Sequence, residues 1–187
     1  MTSPALLPLA ALALAACIEP AHDRSGVTGK RASFDRADAA PFLVASAQPE
    51  RPVRATFGGA VQLLGYDLTP PKIVPGQPVR VTLYFKCLDE LPSDWRVFVH
   101  LDDPAGRAPR INADHDVAGG RFPLDAWKRG DVVRDAFAFV PTTDAAALDL
   151  WLGFYRGDDR LPVDAASLDG ARTDGQNRVL TGALTVR

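Results

Sequence analysis

The chain has 187 residues, of which 47% are hydrophobic and 24% charged, so its composition is that of a folded protein rather than a disordered one. Its 21 Lys and Arg against 23 Asp and Glu give a formal net charge of -2. This balance lacks the basic excess of nucleic-acid-binding proteins, so we expect no nucleic-acid partner. The 15 glycines and 16 prolines favour short elements joined by turns over long helices.

The first predicted element is an apolar segment that is too short to cross a membrane. Residues 5–16 are twelve consecutive residues without a polar or charged side chain, whereas a membrane-spanning helix needs about 20. Such a run is typical of a secretory signal peptide, although residues 1–4 lack the Lys or Arg that usually begins one. Two alternatives stay open: a helix buried inside the fold, and a signal peptide that is cleaved without lipidation.

The end of this segment, Leu14-Ala15-Ala16-Cys17, resembles the lipobox of bacterial lipoproteins. In that family, small residues precede the cut, and the cysteine thiol takes a diacylglycerol group before its new amine is acylated. The resemblance implies a signal peptide over residues 1–16, cleavage between Ala16 and Cys17, and a membrane anchor through acyl chains on Cys17. Ile18 follows instead of Asp, which in a host with two membranes implies sorting to the outer membrane.

Residues 17–52 are predicted to form the lipidated cysteine and a polar tether. The segment has many charged, Ala and Ser residues and no sustained apolar periodicity. Phe34, Phe42, Leu43 and Val44 are exceptions, and they suit a short edge strand docked on the domain that follows.

Residues 53–187 carry the pattern of β-strands that alternate with turns rich in Gly, Pro and Asp. The short stretches near Thr56, Ile73, Ile111 and Leu161 are candidate edge strands. Trp127 is expected to plug one end of the resulting core. The six longest predicted strands cover residues 61–68, 79–88, 95–101, 132–140, 148–156 and 178–186.

The strict alternation of the predicted strand over residues 79–88 also indicates the role of Cys87. Cys87 lies on the same face as Val79, Val81, Leu83 and Phe85. We therefore predict a buried free thiol that packs as a small apolar side chain. A disulfide with the other cysteine, which an exported protein could form, is the less favoured alternative.

These strands predict an all-β fold, an antiparallel Ig-like β-sandwich of about seven to nine strands that buries alternate side chains between two sheets. Over residues 56–163 the chain is similar to an Ig-like module that follows the membrane part of some bacterial glycosyltransferase-like proteins and also occurs as free-standing envelope proteins. The resemblance implies a fold and an envelope location, and it transfers no catalytic residues. It rests on the segments VQLLGYDLTPPKIVPGQPVRVTLYF, WRVFVHLDDPAGR, GGRFPLDAWKRGDVVRD and LWLGFYRGDDRLPV.

One cluster of polar residues is a candidate for metal-dependent hydrolysis, because imidazoles and carboxylates together bind transition ions. The HExxH spacing and the EF-hand pattern are both missing from the sequence. The favoured interpretation is a set of loop carboxylates that accept backbone N–H bonds, with His100 pointing outward from its strand and no bound metal or cofactor. The cluster comprises His100, Asp102, Asp103, Asp114, His115 and Asp116.

A second candidate site is an aromatic surface. The two-residue alternation of the predicted strands points Tyr84, Phe98, Trp151 and Tyr155 away from the core, where their rings could stack on sugars or on a protein partner. The tether or an edge strand could equally cover them. The carbohydrate-binding module is thus one alternative function, and the metal-dependent hydrolase is the other.

The favoured function is a lipid-anchored cell-envelope protein whose domain binds or scaffolds without catalysis. The sequence has no GxSxG nucleophile motif and neither of the glycine-rich phosphate-binding motifs. We therefore expect no catalytic residues and no cofactor. Beyond the membrane itself, the expected partner is an envelope glycan or protein.

Overall fold

The computed structural model describes residues 34–91, 94–141 and 145–186, so the predicted signal peptide, Ala16 and Cys17 lie outside the described residues. None of the helices in these residues is long and apolar enough to cross a membrane. The strands in chain order are β1 (Leu43–Val44), β2 (Arg51–Phe57), β3 (Val61–Thr69), β4 (Val79–Cys87), β5 (Arg96–Asp102), β6 (Ile111–Asn112), β7 (His115–Asp116), β8 (Val132–Phe139), β9 (Ala147–Arg156), β10 (Asp159–Arg160), β11 (Val163–Asp169), β12 (Arg172–Thr173) and β13 (Val179–Thr185). The short 3-10 helices are η1 (Arg36–Ala39), η2 (Val117–Gly120) and η3 (Leu124–Ala126).

The strands form two antiparallel sheets that pack face to face, which confirms the predicted all-β sandwich. The first sheet has the order β1-β8-β4-β3-β2-β11. The second has the order β12-β13-β9-β5-β6, and β7 and β10 pair with β5 and β9 respectively. Thirteen strands are described, more than the predicted seven to nine, because five of them are short pairings of two residues at the sheet edges; the other eight have seven or more residues.

The two-residue alternation explains why these sequences form these strands. In β4, alternate residues from Val79 to Cys87 are buried, and in β9 the residues Leu148, Leu150, Leu152 and Phe154 are fully buried. Burial of each such side chain contributes about 1.5–3 kcal/mol. The six long predicted strands are confirmed, with each end within one residue of the expected position.

Aromatic rings from both sheets meet in the centre of the core. The ring of Phe154 contacts Phe57 and Phe85 at centroid distances of 5.1 and 5.4 Å. At one end Trp127 is buried, and its indole N–H donates to the Phe122 carbonyl at 3.1 Å. Trp127 therefore plugs the sandwich as predicted.

The predicted buried thiol is also confirmed, because Cys87 is a free, buried cysteine. Its Sγ lies 3.2 Å from the carbonyl oxygen of Asp89. Burial, followed by the charges of Asp131 and Glu90, raises the pKa of this thiol to about 11. Cys87 is thus a packing residue, held in its unreactive protonated form.

The folded domain begins earlier than residue 53, the boundary predicted from the sequence. The ring of Phe34 stacks on Phe122 at 5.5 Å, and Ala39 in η1 is fully buried. Strand β1 pairs with β8 through Leu43 and Val44, as the apolar exceptions in the predicted tether suggested. Residues 34–52 therefore belong to the sandwich rather than to a tether, because their few apolar side chains find places at its edge.

Candidate ligand-binding groove

The predicted polar cluster does not assemble into one site. Each carboxylate has its own partner: Asp102 binds Arg110 at 2.6 and 2.9 Å, and Asp116 binds Arg96 at 2.6 Å. Asp114 accepts the backbone N–H of Val99 at 2.8 Å. Within residues 34–91, 94–141 and 145–186, no group of three or more His, Cys, Asp or Glu side chains is placed to hold a metal ion.

Asp103 behaves as a turn-forming residue, in line with the favoured interpretation of this loop. Its buried carboxylate accepts the backbone N–H groups of Ala105, Arg107 and Ala108 at 2.9–3.2 Å. These bonds, led by the one from Ala105, hold the pKa of Asp103 below its ordinary value. Its role is to shape the turn after β5.

The two histidines of the cluster lie in different environments. His100 is on the outer face of β5, as predicted, but its side chain is only 15% exposed, and its Nε2 lies 3.6 Å from Asp114. Burial, followed by the charge of Arg110, lowers the pKa of His100. His115 instead turns toward the opposite sheet, where its ring lies 5.0 Å from Phe137 of β8.

His115 forms a buried pair with Asp135, a residue that the sequence analysis missed. Its Nε2 lies 2.7 Å from Asp135 Oδ2, and its Nδ1 lies 2.7 Å from the Ala113 carbonyl oxygen. Asp135 is 0% exposed, and its other oxygen accepts the N–H of Ala118 at 2.9 Å. The signal in the sequence was a carboxylate at a core-facing position of β8, between Val133 and Phe137.

The predicted aromatic surface is divided between the two sheets. Tyr84 lies on β4, and its hydroxyl donates to Asp67 at 2.8 Å. Phe98, Trp151 and Tyr155 lie on the outer side of β5 and β9, in the other sheet. The four residues therefore do not form one surface.

Arginine side chains cover the three aromatic rings that do share a face. Phe98 is 2% exposed, with the guanidinium of Arg160 4.3 Å from its ring centroid. Arg178 lies 4.3 Å from the ring of Trp151. A sugar could stack on these faces only by displacing the arginines, so the geometry does not favour the predicted aromatic site.

A groove with a volume of about 410 Å³ opens on the outer face of β4 and β8. Its floor follows from strand alternation, because Arg80 and Thr82 of β4, and Arg134 and Ala136 of β8, point away from the core. Thr82 lies opposite Ala136 in the register of the two strands. The lining residues are Pro41, Phe42, Arg80, Thr82, Ala118, Gly119, Arg121, Arg134 and Ala136.

One wall of the groove comes from the chain just before β1, and it holds two of the arginines. The guanidinium of Arg121 lies 4.7 Å from the ring centroid of Phe42, in a cation–π contact. Arg134 donates from Nε to the carbonyl oxygen of Pro41 at 3.3 Å. These contacts limit the freedom of both side chains before any ligand arrives.

The other wall is a turn whose backbone is fixed from inside the core. Ala118 and Gly119 have φ angles of 54° and 62°, a left-handed conformation that is unfavourable for alanine. The N–H of Ala118 is the one that Asp135 accepts. The buried Asp135–His115 pair therefore supports the wall that Ala118 and Gly119 present to the groove.

The groove is basic. In the part of the chain that the structure describes, its lining contains three arginines and no acidic residue. None of the three guanidiniums forms an ion pair with a carboxylate among the described residues. Two of these arginines, Arg80 and Arg134, face outward by strand parity, but only the fold shows that they line the same groove as Arg121.

No protein-family model matches the sequence, and no curated protein does so either.

Proposed function

We propose that this chain is an exported, lipid-anchored protein of the cell envelope that binds a ligand in the groove on its β-sandwich domain, without catalysing a reaction. The observation that carries the binding function is that Arg80, Arg121 and Arg134 all line one cavity. Its volume lies within the roughly 300–1,000 Å³ that is usual for small-molecule sites. The lining offers hydrogen-bond donors and apolar contacts, and none of its described residues is a His, Cys, Asp or Glu suited to acid–base chemistry.

The proposed anchor rests on the sequence Leu14-Ala15-Ala16-Cys17 at the end of the apolar segment. Each methylene buried in the bilayer contributes about 0.8 kcal/mol, and one acyl chain alone binds only marginally. Two or three chains on Cys17 would hold the protein permanently. Ile18 after the cysteine favours the outer membrane if the host has two membranes.

Mass spectrometry of the native protein tests the anchor. We expect the N-terminal peptide of the mature chain to start at Cys17 and to carry a diacylglyceryl thioether and an acylated amine. The Cys17→Ser variant should lack both modifications and should no longer partition with membranes. A native chain with an intact Met1 and an unmodified thiol would contradict the proposed anchor.

Cosedimentation with insoluble envelope polysaccharide, freed of lipid by detergent, tests the binding function separately. The full chain in detergent should sediment with this material. A variant with Arg80, Arg121 and Arg134 replaced by alanine should remain in solution. Arg54→Ala is the control for a lost charge, because Arg54 is exposed on β2, away from the groove. Equal sedimentation of wild type and triple variant would exclude the groove as the binding site.

A further inference from the structure

We propose that the groove binds an acidic saccharide, an elongated ligand with at least two oxyanion groups. This inference rests on the proposed function, in which the groove is the ligand site, and it adds the chemical class of the ligand. Three features support it: the charge of the lining, the spacing of the arginines along the strands, and the small side chains between them.

Charge comes first, because three guanidiniums that have no carboxylate partner among the described residues line one concave site, where they repel each other and attract anions. A guanidinium presents a planar fork of N–H donors that matches a carboxylate, phosphate or sulfate. Arg134 uses Nε for the Pro41 carbonyl, which leaves its terminal amino groups for a ligand. Arg121 uses one face for the Phe42 ring, which leaves the N–H groups at its edge.

The spacing of the arginines favours an elongated ligand. On β4, Arg80 is four residues from Tyr84, and Tyr84 lies directly opposite Arg134 on β8. At about 3.4 Å per residue, the backbones of Arg80 and Arg134 are therefore separated by roughly 14 Å along the strands. A single phosphate or carboxylate could satisfy the arginines at one end of such a groove, whereas a chain with several anionic groups could satisfy both ends.

The surface between these arginines suits a sugar ring. Thr82 and Ala136 lie side by side on the floor, and their small side chains leave a shallow bed for a flat ring. Pro41 gives one wall an apolar surface that complements the C–H face of a pyranose, beside the Phe42 ring that Arg121 already contacts. The hydroxyl of Thr82 can donate to, or accept from, a sugar hydroxyl.

Titration calorimetry on the full chain in detergent tests the inference, with trigalacturonate as the probe. Its fully methyl-esterified form is the matched neutral ligand, with the same sugar rings and no charge. We expect trigalacturonate to bind at least about tenfold more tightly than the ester, since only the acid can pair its charge with the guanidiniums in charge-assisted hydrogen bonds. Binding should weaken at about 1 M salt, where the screening length falls to about 3 Å.

Variants assign the effect to the groove. Arg80→Ala, Arg121→Ala and Arg134→Ala should each weaken binding of trigalacturonate about tenfold or more. Arg134→Lys keeps the charge but loses the fork, so it should also weaken binding. Arg54→Ala removes the same charge from β2 and should leave the affinity within about twofold, as expected for a distant exposed charge. An unchanged circular dichroism spectrum shows that each variant is folded.

Four outcomes would overturn the inference: equal binding of the methyl ester, equal binding of inorganic phosphate, equal binding of triglutamate, or no binding of trigalacturonate at millimolar concentration. The first excludes the requirement for charge, the second shows a site for one compact anion, and the third shows a site for an acidic peptide. Any of these results combined with cosedimentation that depends on the groove would leave the proposed binding function intact. If the wild-type protein did not cosediment with the polysaccharide at all, the proposed binding function itself would be rejected.

Discussion

Replacing Asp135 tests how the buried pair between the sheets stabilises the fold. The Nδ1 of His115 faces a carbonyl oxygen and its Nε2 faces a carboxylate, both at 2.7 Å. The doubly protonated, positively charged ring satisfies both acceptors, and the raised pKa of His115 favours this form. Asp135→Ala removes the counter-charge and leaves the ring N–H of His115 and the backbone N–H of Ala118 without their acceptor. Removing one member of a buried pair costs about 3–5 kcal/mol.

Asp135→Asn is the matched variant, because it keeps the size and shape of the side chain. The amide oxygen can still accept the N–H of Ala118. The amide N–H group can donate to Nε2 of His115 once the ring is neutral, while Nδ1 keeps its proton for the Ala113 carbonyl. Neutral hydrogen bonds thus replace charge-assisted ones, and we expect a smaller loss in the free energy of unfolding, about 1–2 kcal/mol.

The pH dependence gives the sharper measurement. Burial acts to lower the pKa of His115, but the hydrogen bond and charge of Asp135, the Ala113 carbonyl and the charge of Asp114 raise it above 6.5. Below about pH 6.5 the ring is charged in both the folded and unfolded chain, so the stabilisation is fully present. As the pH rises further, only the folded chain keeps the proton, and stability falls by up to about 1.4 kcal/mol per pH unit until the raised pKa is passed.

Urea unfolding from about pH 5.5 to 8.5, followed by tryptophan fluorescence, measures this fall. Asp135→Asn should lose the downward slope above about pH 6.5, since its ring is neutral when folded. His100 has a pKa lowered by burial, so its contribution is lost as the pH falls, and it cancels in the difference between the two proteins. Parallel pH profiles for wild type and Asp135→Asn, or no loss of stability in Asp135→Ala, would refute the charged buried pair.

Three further predictions concern the core. Since the pKa of Cys87 is raised to about 11, its peptide should stay unlabelled by iodoacetamide in the folded chain at about pH 8 and react after unfolding; rapid native labelling, seen by mass spectrometry, would contradict its burial. Gly153→Ala should cost about 1–3 kcal/mol in urea unfolding, because the new Cβ would lie 2.5 Å from Phe98 Cζ; an unchanged midpoint would show that the ring moves freely. Trp127→Phe should cost about 1–3 kcal/mol, because it leaves the Phe122 carbonyl without its donor; a melting temperature equal to that of wild type would contradict this role.

The long strands could be predicted from the sequence because apolar and polar side chains alternate along them with a period of two residues, which identifies the buried face. Strand β11 could not, since all seven of its residues are exposed or only half-buried and little apolar alternation results. Strand β2 was underestimated as a short piece near Thr56, because Pro52 and two arginines interrupt its apolar pattern. Its pairing partners in β3 and β11 supply the hydrogen bonds that its own composition does not suggest.

The sites were harder to predict because their partners are distant along the chain. Neighbouring acids after residue 100 suggested a cluster, but each finds a different arginine or backbone group in space. Outward parity correctly placed Tyr84 and Phe98 away from the core, yet it could not say that they lie on different sheets. In the sequence, Arg80 and Arg134 likewise look like ordinary exposed charges, because only the fold brings them into one groove with Phe42 and Arg121.

The buried pair and the groove are connected through three consecutive residues of β8. Because successive side chains of a strand point to opposite faces, Arg134 and Ala136 line the groove while Asp135 between them points into the core. Asp135 in turn fixes Ala118, which the groove shares as a wall. Arg134→Ala should therefore impair binding with little loss of stability, since it removes one exposed hydrogen bond to Pro41, whereas Asp135→Ala should reduce stability strongly and also loosen the wall. The same alternation that made the strands predictable thus places Asp135, which supports the groove wall, on one face of β8. It places Arg134 and Ala136, which line the groove, on the other face.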